Sequence, residues 1–202
     1  LRAREASAYI PVSVVRHAML VGHTQTGQTS CDAGFGTLLG WALAASRLPS
    51  FARPPVPGEG PRFLHVSPVD FVSRGIVEIA FSDVVGKHET FCLADRSPTP
   101  LGELFELLLD RAGAPRPGIR LPLGGRGFIG RWVESIARAG ATLTETTGKG
   151  PGPWHHLLQR GEHDVTNAIR VLGPSGIECP RLETYIDALF EDYRRRHERF
   201  RN

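Results

Sequence analysis

The chain has 202 residues, 41% of them apolar, which is enough to bury a hydrophobic core, but no run reaches the roughly 18 apolar residues of a membrane helix. The net charge of +3 is too small to indicate a nucleic-acid partner, and three widely spaced cysteines disfavour a disulfide framework and a clustered zinc site. Since Leu1–Ala6 has no apolar segment of the signal-peptide type, we expect a cytoplasmic globular protein without a membrane, nucleic-acid or metal partner.

The start of the sequence predicts a strand that ends in a polar loop. Residues 1–8 have the composition of a helix end, and the β-branched residues at 12–16 predict the first strand. The apolar pair Leu20–Val21 leads into the loop Gly22–Gly27. In open α/β sheets ligands bind at the carboxyl ends of strands, so this turn and loop form the first candidate site.

A helix and a proline-rich connection follow this loop. Asp32 or Thr37 is the predicted N-cap of a helix that reaches about Arg47. The five prolines between Pro49 and Pro61 are incompatible with the interior of an element, so this segment is predicted to be a surface loop.

The middle of the chain alternates strands with helices. Residues 63–66 predict a strand, and a helix to about Phe81 is predicted to start with Ser67 as N-cap, Pro68 as first residue and Asp70 as an N-terminal acid. The predicted core-facing stripe of this helix consists of Val69, Val72, Ile76, Val77, Ile79 and Ala80.

A further strand and helix complete the alternation. Residues 89–94 predict a strand with Cys92 as a small core residue, and residues 100–112 predict a helix stopped by Gly113. Residues 126–200 are predicted to be mainly helical, with a last helix from about 182 to 199. We therefore expect an α/β fold with a largely parallel sheet and a helical cap.

A glycine motif at 125–130 mimics a dinucleotide-binding fingerprint, with Glu145 at the expected distance from its first glycine. Pro122, however, removes a hydrogen-bond donor from the strand that should precede the motif. The sequence beyond Glu145 also offers no further strand, helix and strand to complete a nucleotide-binding sheet. Coincidence is therefore the favoured interpretation.

Four segments together resemble a known family. Residues 14–27 read VVRHAMLVGHTQTG, and FLHVSPVDFV at 63–72, FCLA at 91–94 and IECP at 177–180 follow. In this order and spacing they resemble the extended short-chain dehydrogenase/reductases, downstream of their catalytic Tyr-x-x-x-Lys helix. The greatest similarity is to the thioester reductase domains that end nonribosomal peptide and polyketide assembly lines, and to their carboxylic acid reductase relatives.

The resemblance implies a division of the chain and an activity. Residues 1–113 would be the carboxyl-terminal portion of an NAD(P)-binding Rossmann-like domain, and residues 114–202 a mainly helical substrate-binding lobe. The parent protein would be an NADPH-dependent reductase that converts an acyl thioester on a carrier protein or CoA to an aldehyde or alcohol. An N-terminal fragment of the same reductase would be a further partner.

The catalytic pair of that family does not occur in this sequence. The tyrosines and lysines are Tyr9, Tyr185, Tyr193, Lys87 and Lys149, and no tyrosine precedes a lysine by the four residues that place both on one helix face. We therefore assign no catalytic residue to this chain and expect it to be inactive by itself.

The resemblance also implies two groups of site residues. His17, Ala18 and Met19 would contact the nicotinamide end of the cofactor, largely through backbone atoms, unless this turn serves only packing. The second group lies in a loop that would border the entry for the acyl or phosphopantetheine group. The alternative interpretation is an ordinary polar loop without that role. The members of this loop are Gly22, His23, Thr24, Thr26 and Gly27.

Two other functions stay open. A sugar-nucleotide epimerase or dehydratase belongs to the same extended group of enzymes. The arginine-rich segment 194–201 is either a solvated helix end whose cations suit the helix dipole or a docking patch for an acidic carrier protein. The second interpretation would make the chain a non-catalytic binding module.

Overall fold

The computed structural model describes residues 12–29, 34–49, 51, 56–57, 63–83, 89–115, 118, 120–121 and 163–198. The strands are β1 Val14–His17, β2 Met19–Val21, β3 Val56–Pro57, β4 Phe63–Leu64, β5 Val66–Pro68, β6 Thr90–Leu93, β7 Thr99–Pro100 and β8 Arg120–Leu121. The helices are α1 Phe35–Ala45, α2 Val69–Ala80, α3 Leu101–Ala112, α4 Thr166–Leu172 and α5 Ile186–Glu198, with 3₁₀ turns at Gly173–Ser175 and Leu182–Thr184.

Parallel pairing dominates the described strands. β1 pairs with β6, β2 with β5 and β3 with β8 in parallel, whereas β4 and β7 are antiparallel. Parallel neighbours need a crossover between them; α1 lies in the connection from β2 to β5, and α2 lies in the connection from β1 to β6. The predicted α/β class with Rossmann-like parallel strands is confirmed.

Two of the three hydrophobic clusters among the described residues hold most of these elements together, and the third is a small one of Ala18, Cys92 and Ala94. The larger lies between α1, α3 and α5, where Leu38, Phe105 and Phe190 are buried. The smaller joins α2 and α4 to β6, with Phe91 and Leu93 fully buried. Because α5 packs in the same cluster as α1 and α3, the last described helix shares a core with the sheet-forming part; the division at residue 113 stays a prediction.

The start of α2 differs from the prediction. The N-cap is Pro68, and Ser67 lies buried in β5, where its Oγ donates a hydrogen bond to the carbonyl oxygen of Leu93 at 2.8 Å. The hydroxyl is used by the neighbouring strand, so it does not cap the helix. A sequence with Ser before Pro has no local feature that distinguishes these two uses.

The buried face of α2 agrees only in part with the predicted stripe. Val72 and Ile79 are buried as predicted, and Phe71 and Gly75 are buried with them, whereas Ile76 and Val77 are exposed, at 44% and 56%. A Cβ at Gly75 would lie 3.1 Å from a methyl carbon of Leu93, so the missing side chain lets the helix settle onto β6. The prediction counted apolar residues and missed the glycine. Val69 and Ala80, also in the predicted stripe, are exposed as well.

The remaining helix ends follow the sequence more closely. Gly34 precedes the first residue of α1 and is its N-cap; Thr37 lies inside the helix, and Asp32 lies outside the described residues. Gly113 ends α3 in the left-handed conformation, at φ +70°, as predicted. The last helix begins at Ile186, later than predicted, because Leu182–Thr184 forms a 3₁₀ turn.

Several predicted features lie outside the described residues. They include the helix end at 1–8, the glycine motif at 125–130 and Cys31. Among the described helices, none has the length and apolar character needed to cross a membrane.

Candidate functional site

The end of β1 is a point where the chain changes strand partner. His17 is the last residue in register with β6, opposite Leu93. The Ala18 amide still donates to the Leu93 carbonyl at 3.2 Å, but the Met19 amide donates to His65, and β2 then pairs with β5. A crevice at the carboxyl ends of parallel strands forms where neighbouring strands diverge in this way, and such crevices bind ligands in open α/β folds.

The three predicted cofactor contacts occupy this point in different ways. His17 is exposed, and its Nδ1 lies 2.8 Å from the Ala18 carbonyl oxygen. Ala18 is buried, and Met19 is half-buried against the larger hydrophobic cluster. The structure therefore brings the three residues to the strand end, with the His17 ring as the side chain that faces outward; their contact with a cofactor stays a prediction.

The predicted substrate loop, Gly22–Gly27, is tied to the first turn of α2. Asp70 accepts two hydrogen bonds from Thr24, one from the amide at 3.0 Å and one from the hydroxyl at 2.7 Å. Within the loop, His23 Nδ1 accepts from the Gln25 amide at 3.1 Å, and the Gly27 amide donates to the His23 carbonyl at 2.8 Å. The loop thus has a defined shape that depends on a carboxylate 46 residues away.

The ionisation of Asp70 agrees with this role. Burial acts to raise the pKa of its carboxyl, but the side-chain and backbone hydrogen bonds from Thr24, together with the Asp70 backbone amide and the charge of His23, hold the pKa below its usual range. The carboxylate is therefore the favoured form in the folded chain, and it anchors the loop at all but strongly acidic pH.

Two loop glycines are required by packing. A Cβ at Gly22 would lie 2.1 Å from the Gly27 carbonyl oxygen, and a Cβ at Gly27 would lie 1.9 Å from the carbonyl oxygen of Ala188 in α5. Gly27 also has a φ of +67°, which favours glycine. Both residues are buried, whereas His23 and Thr24 are partly exposed and Thr26 is exposed. The side chains of this loop that a ligand can reach are therefore those of His23, Thr24, Gln25 and Thr26.

A second group of reactive side chains lies one strand away and was missed by the sequence analysis. Cys92 Sγ in β6 lies 3.2 Å from His163 Nδ1, just before α4. Arg16 is the register partner of Cys92 on β1 and lines the same open cleft of about 690 Å³, together with His17 and Asp164. Cys92 and His163 are 71 residues apart, so their pairing has no local sequence signal.

Burial sets the protonation state of this pair. It raises the pKa of the Cys92 thiol, although the Arg16 cation acts in the opposite direction. Burial also lowers the pKa of His163, so a neutral thiol faces a neutral imidazole near pH 7. The His163 ring contacts the His65 ring edge to face, with centroids 4.6 Å apart, which restrains its orientation.

An apolar cavity of about 110 Å³ adjoins Cys92 on the other side. Phe71, Ala168 and Leu172 contribute to its wall, as does Cys179, whose pKa is raised to about 12 mainly by burial.

Asp95 follows β6 and is 6% exposed; its Oδ1 accepts from the Ser97 amide at 2.8 Å, and burial raises its pKa. The sequence signal that could have identified Asp95 is an acidic residue that follows a buried strand. No cluster of three metal-ligating side chains occurs among the described residues.

Comparisons with known proteins identify the kind of fold to which this geometry belongs. No protein-family profile matches the sequence. A component of the linear gramicidin synthase of Brevibacillus parabrevis is 24% identical over 191 residues, which are 91% of this chain and 3% of that protein. Among solved structures, the terminal R domain of the myxalamid PKS-NRPS pathway superposes with a TM-score of 0.68 at 20% identity, over 96% of this chain and 46% of that one.

The chain has the fold of part of an extended short-chain dehydrogenase/reductase. The UDP-glucose 4-epimerase of Thermotoga maritima superposes with a TM-score of 0.58 at 18% identity, over 97% of this chain and 50% of that one. The chain thus spans about half the length of these solved reductase-fold structures. In open α/β folds ligands bind at the carboxyl ends of the strands, and Ala18 lies at that end of β1.

Proposed function

We propose that this chain is the substrate-binding part of an NADPH-dependent reductase acting on acyl thioesters carried by a carrier protein or CoA. The observation that carries the proposal is the change of strand partner at Ala18, followed by a loop that Asp70 holds in place. The similarity to the myxalamid R domain and to the gramicidin synthase component supports it over other reductases. The product would be an aldehyde or an alcohol.

The residues at the strand end fit a nicotinamide cofactor. The cleft there is open, and His17 and the Arg16 cation both line it. A solved structure of RMD from Pseudomonas aeruginosa in complex with NADPH superposes with a TM-score of 0.51 at 15% identity, over 95% of this chain and 50% of that one. The cofactor would supply a hydride, and His17, Ala18 and Met19 would position its nicotinamide end.

The remaining roles follow from where each group lies. His23, Thr24 and Thr26 would contact the acyl or phosphopantetheine group at the entry, while Gly22 and Gly27 keep the loop compact. The acid–base pair of Tyr and Lys would come from a segment outside this sequence, the proposed N-terminal fragment. In this arrangement the chain binds and orients the thioester and excludes water from it.

The experiment uses the longest form of the protein found in its source. NADPH oxidation is followed with octanoyl-CoA as substrate, and conversion of UDP-glucose to an epimerised or dehydrated sugar is followed by chromatography, because that conversion consumes no NADPH overall. We expect thioester-dependent oxidation by that form and none by the 202-residue chain alone. Activity with the nucleotide sugar and none with the thioester would favour the epimerase or dehydratase alternative, which the similarity to the Thermotoga enzyme supports.

A binding module without catalysis is the remaining alternative. Arg194 and Arg195 are exposed on α5, and Arg196 pairs with Asp192 at 2.7 Å. Affinity for an acidic carrier protein that falls steeply with salt, in a protein with no affinity for NADPH, would favour the module over the reductase.

A further inference from the structure

Cys92 lies in the wall between two different environments. On one side is the open, polar cleft with Arg16 and Asp164, and on the other is the apolar cavity of about 110 Å³. Its Sγ is 3.2 Å from His163 Nδ1, the distance at which an imidazole takes a thiol proton. A thioester has the same two-sided character, because its pantetheine arm is polar and its acyl chain is apolar.

We propose that Cys92 is an acyl acceptor, which takes the acyl group from a pantetheine thioester with His163 as general base. The proposal rests on the proposed function in one respect, the thioester as substrate class. It adds a covalent step that precedes and does not require reduction.

The step balances without an oxidant or a further reactant. His163 Nδ1 takes the proton of the Cys92 thiol while Sγ bonds to the acyl carbon. The bond between that carbon and the pantetheine sulfur then breaks, and the departing sulfur takes the proton from His163. The products are S-acyl-Cys92 and a free pantetheine thiol, and the imidazole returns to its neutral form.

The Arg16 cation and the apolar cavity assist different parts of this acyl transfer. Arg16 lies on β1, opposite Cys92 on β6. Its cation stabilises the negative charge that develops on the Cys92 sulfur and on the thioester oxygen. The apolar cavity beside Cys92 takes an alkyl chain, since Phe71, Ala168 and Leu172 line it. Because the thiol and the imidazole are both neutral at rest, Cys92 reacts through proton transfer to His163 and not as a preformed thiolate.

The same chain contains a matched control thiol. Cys179 lines the same apolar cavity, but its Sγ contacts carbonyl oxygens, at 3.8 and 4.0 Å, where Cys92 contacts an imidazole. Burial raises the pKa of Cys179 to about 12. A chemical preference for Cys92 over Cys179 therefore measures the effect of the imidazole and the cation, not of cavity access alone.

The test uses the 202-residue chain and the probe S-octanoyl-N-acetylcysteamine at about pH 7.5, without NADPH. Peptide mass spectrometry follows the acyl group on each cysteine with time. We expect Cys92 to be acylated at least about tenfold faster than Cys179, and His163→Gln to slow the Cys92 reaction at least about tenfold. Asp110→Asn, at an exposed site on α3, should leave the Cys92 rate unchanged, and Asp164→Asn should increase it slightly, because that carboxylate opposes thiol ionisation.

A second probe separates reactivity from thioester recognition. Iodoacetamide should alkylate Cys92 in preference to Cys179, and His163→Gln should remove the preference; circular dichroism checks that this variant is folded. Acylation that is equally fast in His163→Gln, or directed to Cys179 or Cys31, overturns the proposal. So does selective alkylation of Cys92 without acylation. NADPH-dependent thioester reduction by the longest form, without acyl-Cys92, would leave the proposed function standing and reject this step alone.

Discussion

The two parallel strands β1 and β6 end side by side, but their carboxyl ends are built differently. Beyond β1, the chain crosses to β5 and closes into the Gly22–Gly27 loop, which Asp70 holds through Thr24 and which packs against α5. Beside β6, the Cys92 thiol lies between an open cleft and an apolar cavity. One end is closed by backbone packing, and the other offers reactive side chains.

This difference shows which kind of structural feature a short sequence motif can predict. The loop carries a recognisable sequence because glycines are needed within it to make its shape. The Cys92–His163 pair carries no motif, because a side-chain pair across 71 residues needs only that the fold brings the two together. The conspicuous segment is therefore the more structural of the two, and substitutions at the two strand ends can test that contrast.

The largest effect should come from adding a methyl group to the loop. In Gly27→Ala, the new Cβ meets the Ala188 carbonyl oxygen at 1.9 Å and the φ of +67° is strained, so we expect unfolding free energy to fall by about 3 kcal/mol or more. Gly113→Ala is the matched control, with a φ of +70° and nothing within 4 Å, and should cost about 1 kcal/mol. Equal losses in urea denaturation would contradict the packing argument.

The next effect should come from removing the carboxylate that anchors the loop. Asp70→Asn weakens two hydrogen bonds from Thr24, and we expect a loss of about 1 kcal/mol at about pH 7. Hydrogen exchange at the Thr24 amide should also become faster. Asp110→Asn, at an exposed site on α3, is the control and should change stability by less than about 0.5 kcal/mol. Slow exchange at Thr24 in Asp70→Asn would show that the loop has another anchor.

The pH dependence of the stabilisation by Asp70 gives a sharper test of its role in holding the loop. The folded pKa of Asp70 lies below the unfolded value, so its stabilisation is complete above about pH 4 and is lost as the pH falls through the folded pKa. The stability difference between the parent chain and Asp70→Asn should therefore narrow below about pH 4. A difference that stays constant down to about pH 2 would mean that the charge of Asp70 is not what holds the loop.

The smallest effect, with the opposite sign, is expected at the end of β6. Burial raises the pKa of Asp95, so folding favours its protonated form, and the ionised form destabilises the chain at neutral pH. Asp95→Asn keeps an acceptor for the Ser97 amide and should raise the stability at neutral pH by up to about 1 kcal/mol. The gain should shrink as the pH falls toward about 4. A loss of stability at neutral pH would show that Asp95 is held as a carboxylate.

Local rules predicted much of the secondary structure. Gly113 stops α3 because only glycine adopts its conformation easily, and β6 occupies residues close to the predicted 89–94. The rules failed where two elements compete for one group. Ser67 donates to β6 and does not cap α2, and Gly75, not the apolar count, selects the buried face of α2. Both outcomes depend on a neighbour distant in sequence.

The sequence by itself determined the α/β class, the order of most elements and the position of the glycine loop after β1, because backbone conformation and apolar periodicity are encoded over a few residues. Only the tertiary structure decided that Asp70 anchors Thr24 and that Cys92 faces His163 beside Arg16. Such contacts depend on strand register and helix placement, which bring together groups from distant segments. The candidate chemistry of this chain arises at that level, one strand away from its most recognisable motif.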